Sequence, residues 1–124
     1  MSHEILTPTF ERNDERGLFQ EVLNDGHWES FICARMNPQA VLGNHYHKKT
    51  LIFFYVTRGS ARVATVHVES LERDEFFLKA NQGVILRTYE SHAIHFPEES
   101  EIVMLKSCRY DPADPDTFPF PVED

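Results

Sequence analysis

Apolar residues along this chain come in short runs, separated by turn signals about every ten residues, which is the pattern of an all-β sandwich or barrel. Residues 18–23, 31–36, 51–58, 61–68, 75–80, 83–87, 93–96 and 101–110 read as strands. Their β-branched and aromatic side chains suit a half-buried pleated surface. Turns are expected at Asn24-Asp25-Gly26, Arg58-Gly59 and Gln82-Gly83, where glycine can supply a positive φ. The best helix candidate is a short stretch from Val68 to Asp74, although nothing there repeats with a 3.6-residue period. After Tyr110 the composition changes. The segment DPADPDTFPFPVED, residues 111–124, holds four of the seven prolines and is expected outside the sheet interior, as an extended tail laid over the domain or over a partner. Eight strands with large aromatics inside predict one all-β domain over residues 1–124, a jelly roll or small barrel.

Composition narrows the partners. The chain is 41% hydrophobic with ten Phe, enough for a true core. Its net charge of −8 argues against nucleic acid or an anionic membrane surface, yet allows a phosphate-bearing small molecule held in one local basic pocket. Cys33 and Cys108 are too few for a disulfide framework or a structural zinc site, and read as free thiols that serve as small buried hydrophobes. No signal peptide and no apolar run approaching a membrane span is seen, so a soluble, cytoplasmic protein is expected.

The chemistry is carried by GNHYHKK, residues 43–49. In an extended chain His45 and His47 project to one side and Tyr46 to the other. A third imidazole to complete a site is sought in RTYESHAIHF, at His92 or His95, with His27 and His67 less readily placed and His3 assigned to a mobile terminus. Trp28 reads as a packing residue. Arg16 pairs with a local carboxylate or contacts a phosphate. Arg35 and Arg87, if they face inward, need a counter-charge or a ligand.

Gly43, His45, His47 and Gly59 resemble the first motif of the cupin superfamily, and NQGVILRTYESHAIHF resembles the second, with Gly83 at its start and His92 at its histidine. This resemblance implies a double-stranded β-helix barrel, with a divalent metal held by three His and one Glu. The family glutamate falls where this chain has Leu51 and Ile52, and Arg87 and Tyr89 stand roughly where the family has proline and glycine. Three neutral imidazoles, His45, His47 and His92, suit zinc with an open position better than iron or manganese, which favour oxygen ligands; nickel is a further candidate.

A narrower resemblance runs from about Pro8 to Phe118. NDERGLFQEVL is similar to the opening of the dTDP-4-dehydrorhamnose 3,5-epimerases. GNHYHK and KSCRYDPADPDTF resemble the C-terminal cupin domain of bifunctional capsular polysaccharide enzymes, and HKK resembles the 3,4-ketoisomerases. These similarities imply an epimerase or isomerase acting on a nucleotide-linked keto sugar. His45 and His47 would be the catalytic pair, and Arg16, Arg35, Arg87 and Tyr89 substrate contacts. Leu105 stands where the epimerases have their acid tyrosine, and Leu42 where they have a basic residue. A cupin that binds metal or a small molecule without sugar chemistry is the alternative, with a metal-dependent oxygenase behind it. Small cupins pair through exchanged terminal strands, so a homodimer is expected, with the tail able to cross to the partner.

Overall fold

The computed structural model describes residues 3–122. Its strands are β1 (Phe10–Asp14), β2 (Gly17–Glu21), β3 (Ser30–Met36), β4 (Val41–Tyr46), β5 (Ile52–Arg58), β6 (Ser60–His67), β7 (Arg73–Lys79), β8 (Gln82–Leu86), β9 (Glu90–His95), β10 (Ser100–Lys106) and β11 (Phe118–Pro119). β1 and β2 form a hairpin. The others make a four-stranded sheet in the order β3-β10-β5-β8 and a five-stranded sheet in the order β11-β4-β9-β6-β7. Every strand pair is antiparallel.

The two sheets face each other across one core. Phe54, Val56, Leu86 and Ile102 come from the first sheet, and Val63, Leu78, Ile94 and Phe96 from the second. Phe54 and Phe96 join the layers with ring centroids 6.3 Å apart. Burying each such side chain contributes about 1.5–3 kcal/mol, which is why the sequence runs hydrophobic where the sheets meet. The period-two pattern is plainest in β3, where Ile32, Ala34 and Met36 face inward and Phe31, Cys33 and Arg35 face solvent. Cys33 is therefore exposed rather than a buried hydrophobe, while Cys108 is partly buried.

Several expectations are corrected. Val68 to Asp74 is not a helix: it closes the β6–β7 hairpin with a single turn in which Leu71 N donates to His67 O. Leu71 takes a φ of 62° there, which no helix allows. β10 ends at Lys106, four residues early, because the chain turns back where Ser107 N donates to Leu51 O and Ser107 Oγ accepts from Leu51 N. β1 and β4 lie outside the expected strands; the first is almost wholly exposed and so carries no burial signal. The proline-rich tail lies outside the sheet interior, as expected. It returns to its own barrel, where β11 pairs along the outer edge of β4, Phe118 opposite Tyr46 and Pro119 opposite His45. An edge position asks for few ladder hydrogen bonds, so it tolerates proline. Among the described residues no helix is long and apolar enough to cross a membrane.

Candidate active site

β4 breaks its own regularity to build the site. Gly43 at φ 103° and Asn44 at φ 60° insert a bulge, and the register with β9 shifts between Gly43 and His45. Only glycine fits at 43, because a Cβ there would lie 2.2 Å from the His92 carbonyl oxygen. A bulge re-aims the side chains that follow it. Here it sets His45 opposite His92 of β9, with His47 just past the strand end. Ring centroids are 4.9 Å apart for His45 and His92, 5.1 Å for His45 and His47, and 5.8 Å for His47 and His92. One nitrogen from each of the three lies within 4.8 Å of the other two. Leu51 and Ile52 add no carboxylate to the group.

A backbone carbonyl of the tail fixes one ring. His47 Nδ1 lies 2.6 Å from the Asp116 carbonyl oxygen, which can only accept, so Nδ1 carries the hydrogen and Nε2 keeps its lone pair. The backbone at Gly43 and at Glu90 acts on His45 and His92 in the opposite sense to burial, favouring the protonated ring without overcoming the effect of burial. Among the described residues His47 Nε2 and His92 Nδ1 are buried with no partner. Burial lowers the pKa of all three: His45 is lowered further by His47 and Lys106, His47 by Lys106, and His92 is pushed down to about 3 by burial and its two imidazole neighbours. At neutral pH the site therefore presents neutral imidazoles with free lone pairs, which can accept a proton or bind a cation.

Residues 12–118 match the family model of the polysaccharide biosynthesis C-terminal domain. The chain belongs to that family. No curated relative matches it. Solved structures share its fold, the cupin jelly roll. CapF, the capsular polysaccharide assembling protein of Staphylococcus aureus, is 24% identical with a TM-score of 0.70, over 91% of this chain and 32% of that one. dTDP-4-dehydrorhamnose 3,5-epimerase from Sulfolobus tokodaii is 17% identical with a TM-score of 0.76, over 88% of this chain and 72% of that one. WlaRA, a TDP-fucose-3,4-ketoisomerase from Campylobacter jejuni, is 13% identical with a TM-score of 0.79, over 95% and 89%. The chain spans about a third of the length of the CapF protein, in keeping with a family that describes a C-terminal domain.

The structure does not bring every expected contact to the imidazoles. Arg16 sits on the β1–β2 hairpin, 67% exposed, with its guanidinium 2.7 Å from Asp14. Arg35 projects from the outer face of β3 into a surface hollow with Thr57 and Glu101. Tyr89, at φ 58°, donates its backbone N–H to His47 O and turns its ring toward Tyr46, 6.2 Å away, rather than toward the histidines. Arg87 does reach the barrel mouth. It lines a cavity of about 520 Å³ together with Thr65, Asp74 and Glu90. None of the three imidazoles lines that cavity; the link to them is Thr65, which pairs with His92 across β6 and β9.

Two residues at this mouth have no signal in the sequence pattern. The first is His3, which is not mobile: its side chain is 2% exposed, with Nδ1 2.7 Å from Asp74 and Nε2 2.8 Å from Glu90. Arg87 closes the group, 3.1 Å from Glu90 and 3.2 Å from His3. Burial acts to lower the His3 pKa, but hydrogen bonds to Glu90 and Asp74 outweigh it, and the net shift is upward. A raised pKa stabilises the fold fully below the unfolded value of about 6.5, and the gain is lost as pH rises through the folded value. Wild-type stability to urea is thus expected to fall as pH rises through that window. The variant His3→Gln should stay flat there; equal slopes for the two proteins would contradict the assignment. The second residue is Lys106. Leu105, at the position of the epimerases' tyrosine, points into an outer groove with Phe31 and Phe53, and it is Lys106 that faces the lumen.

Proposed function

We propose that this domain is an epimerase- or isomerase-type cupin acting on a nucleotide-linked keto sugar, with His45 as the base. The observation that carries the reading is the set of three neutral imidazoles whose nitrogens converge within 4.8 Å of one another, with a cavity of about 520 Å³ reached through Thr65, the residue paired with His92. That volume lies within the usual range for small-molecule sites. His45 is the least buried of the three and so the most accessible to a C–H bond next to a ketone. Removing that proton moves the C–H electron pair into a C=C bond and the carbonyl pair onto oxygen. Return of the proton to the other face epimerises the carbon. Its delivery instead to the former carbonyl carbon isomerises the ketone, with the neighbouring hydroxyl giving up its proton to become the new C=O and the enolate oxygen taking one to become a hydroxyl. Arg87, Asp74 and Thr65 line the cavity with groups suited to sugar hydroxyls.

A second reading rests on the two buried, unpartnered nitrogens, His47 Nε2 and His92 Nδ1, which suit a cation. Together with His45 they would hold a divalent metal, zinc first, with an open coordination position. Such an ion acts as a Lewis acid that polarises a carbonyl oxygen. The lone pair of His45 cannot serve base and metal at once, so the two readings compete at one atom. The test is incubation with a 4-keto nucleotide sugar in deuterated water, before and after chelation. Deuterium gained at the carbon beside the ketone, and unaffected by chelation, supports His45 as the free base. Exchange lost on chelation and restored by zinc supports the metal, and no exchange with any keto sugar leaves a binding module without sugar chemistry.

A further inference from the structure

Between the end of β10, the loop 47–50 and the tail lies a second, smaller cavity of about 130 Å³, lined by His47, Thr50, Lys106 and Arg109 among others. It is about a quarter the size of the cavity at Arg87, a scale that suits one phosphate or carboxylate group. Its charges are accounted for with one exception. Lys49 is paired with Asp114, and Arg109 lies beside Glu29. Both Asp116 oxygens accept from the loop 48–50, and Asp111 accepts from Ala113 N. Lys106 is partly buried and follows Ile102 and Met104 on the inward face of β10. Its ammonium meets no carboxylate or hydrogen-bond partner among the described residues. It is near enough to His45 and His47 to act on both electrostatically. In a chain of net charge −8, an unpaired cation turned into the lumen beside neutral imidazoles is a place prepared for negative charge.

We propose that this small cavity is an anion subsite, in which the Lys106 ammonium holds an anionic oxygen group of the ligand. Two sources share that chemistry: a phosphate of the nucleotide, and the enolate oxygen formed when His45 removes the proton. The second rests on the function proposed above, and the first does not. The variants are Lys106→Met, which keeps the stem and removes the charge, and Lys106→Arg, which keeps the charge; thermal unfolding of both checks the fold.

Binding of uridine diphosphate and of inorganic phosphate is measured by calorimetry, and deuterium exchange by mass spectrometry. A loss of about tenfold or more in diphosphate affinity in Lys106→Met, recovered in Lys106→Arg, assigns the subsite to phosphate. Unchanged diphosphate binding with a kcat for exchange about 10²-fold lower at constant KM, and partial rescue by added methylammonium, assigns it to the enolate oxygen. If neither affinity nor kcat changes in a folded Lys106→Met protein, the proposal is overturned. Should the wild type show no exchange at all, the keto-sugar reading fails, and the diphosphate measurement alone decides the subsite.

Discussion

Replacing His45 by alanine is expected to lower deuterium exchange beside the keto group by about 10²–10⁴-fold, the usual scale of a general acid–base contribution. The expectation follows from how the ring is held. The bulge at Gly43 and Asn44 sets it opposite His92, with its ring 4.9 and 5.1 Å from those of His92 and His47. Burial, His47 and Lys106 all keep it unprotonated near neutrality. The same shift sets the pH dependence. Because the folded pKa lies below 6.5, exchange should be flat across neutral pH and decline only as acid protonates the ring, with a midpoint under the free imidazole value. His45→Gln, which preserves much of the volume, separates a missing base from a disturbed mouth. Exchange that persists at the wild-type rate in both variants, with the fold intact by circular dichroism, would move the base elsewhere. His92 would be next in line, although burial with a pKa of about 3 makes it a weak one.

How legible this site was depends on which residues carry periodic information. The strands of the core announce themselves as short apolar runs, with period-two alternation plainest in β3, and β3, β5 and the start of β10 fall close to where those runs lie. The H-x-H pair was legible for the same reason: two residues apart in an extended chain means one face. What period alone could not give was the bulge. Gly43 and Asn44 look like a turn, and only the close approach of the His92 carbonyl shows that they are a deformation inside a strand. Lys106 illustrates the cost of a one-residue slip, since period-two alternation sends Leu105 to the outer groove and its neighbour to the lumen. His3 and Asp116 were hidden for another reason. Each is joined to its partners across 66 to 87 positions of sequence, and no local pattern records a contact of that range.

Asp116→Asn is expected to cost about 2–4 kcal/mol of stability, more than any other single polar substitution in the tail. Asp116 is 7% exposed, and its carboxylate accepts four hydrogen bonds. Oδ1 takes Lys48 N at 2.8 Å, while Oδ2 takes Lys49 N, Thr50 N and the Thr50 hydroxyl at 3.0, 3.0 and 2.8 Å. An amide has one oxygen, so whichever way it turns, its NH₂ group faces an N–H that also donates. Asparagine tolerates the φ of 52° at this position, so the loss reports the carboxylate rather than backbone strain. Burial acts to raise the Asp116 pKa, yet the bonds from Lys48, Thr50 and Lys49 overcome it, and the net shift is downward. A lowered pKa contributes stability above the unfolded value of about 3.9 that is lost as pH falls through the folded value. The gap between wild type and variant should therefore be full at neutral pH and close in acid. The damage should also reach the site. The Asp116 carbonyl holds His47 Nδ1, and Ser91 Oγ donates to Phe120 O, so a loosened tail frees the ring that the carbonyl orients. Urea unfolding at constant m-value measures the first effect, and deuterium exchange under folding conditions the second. An unchanged urea midpoint would show that water replaces these four bonds without loss, and that the tail merely lies on the barrel.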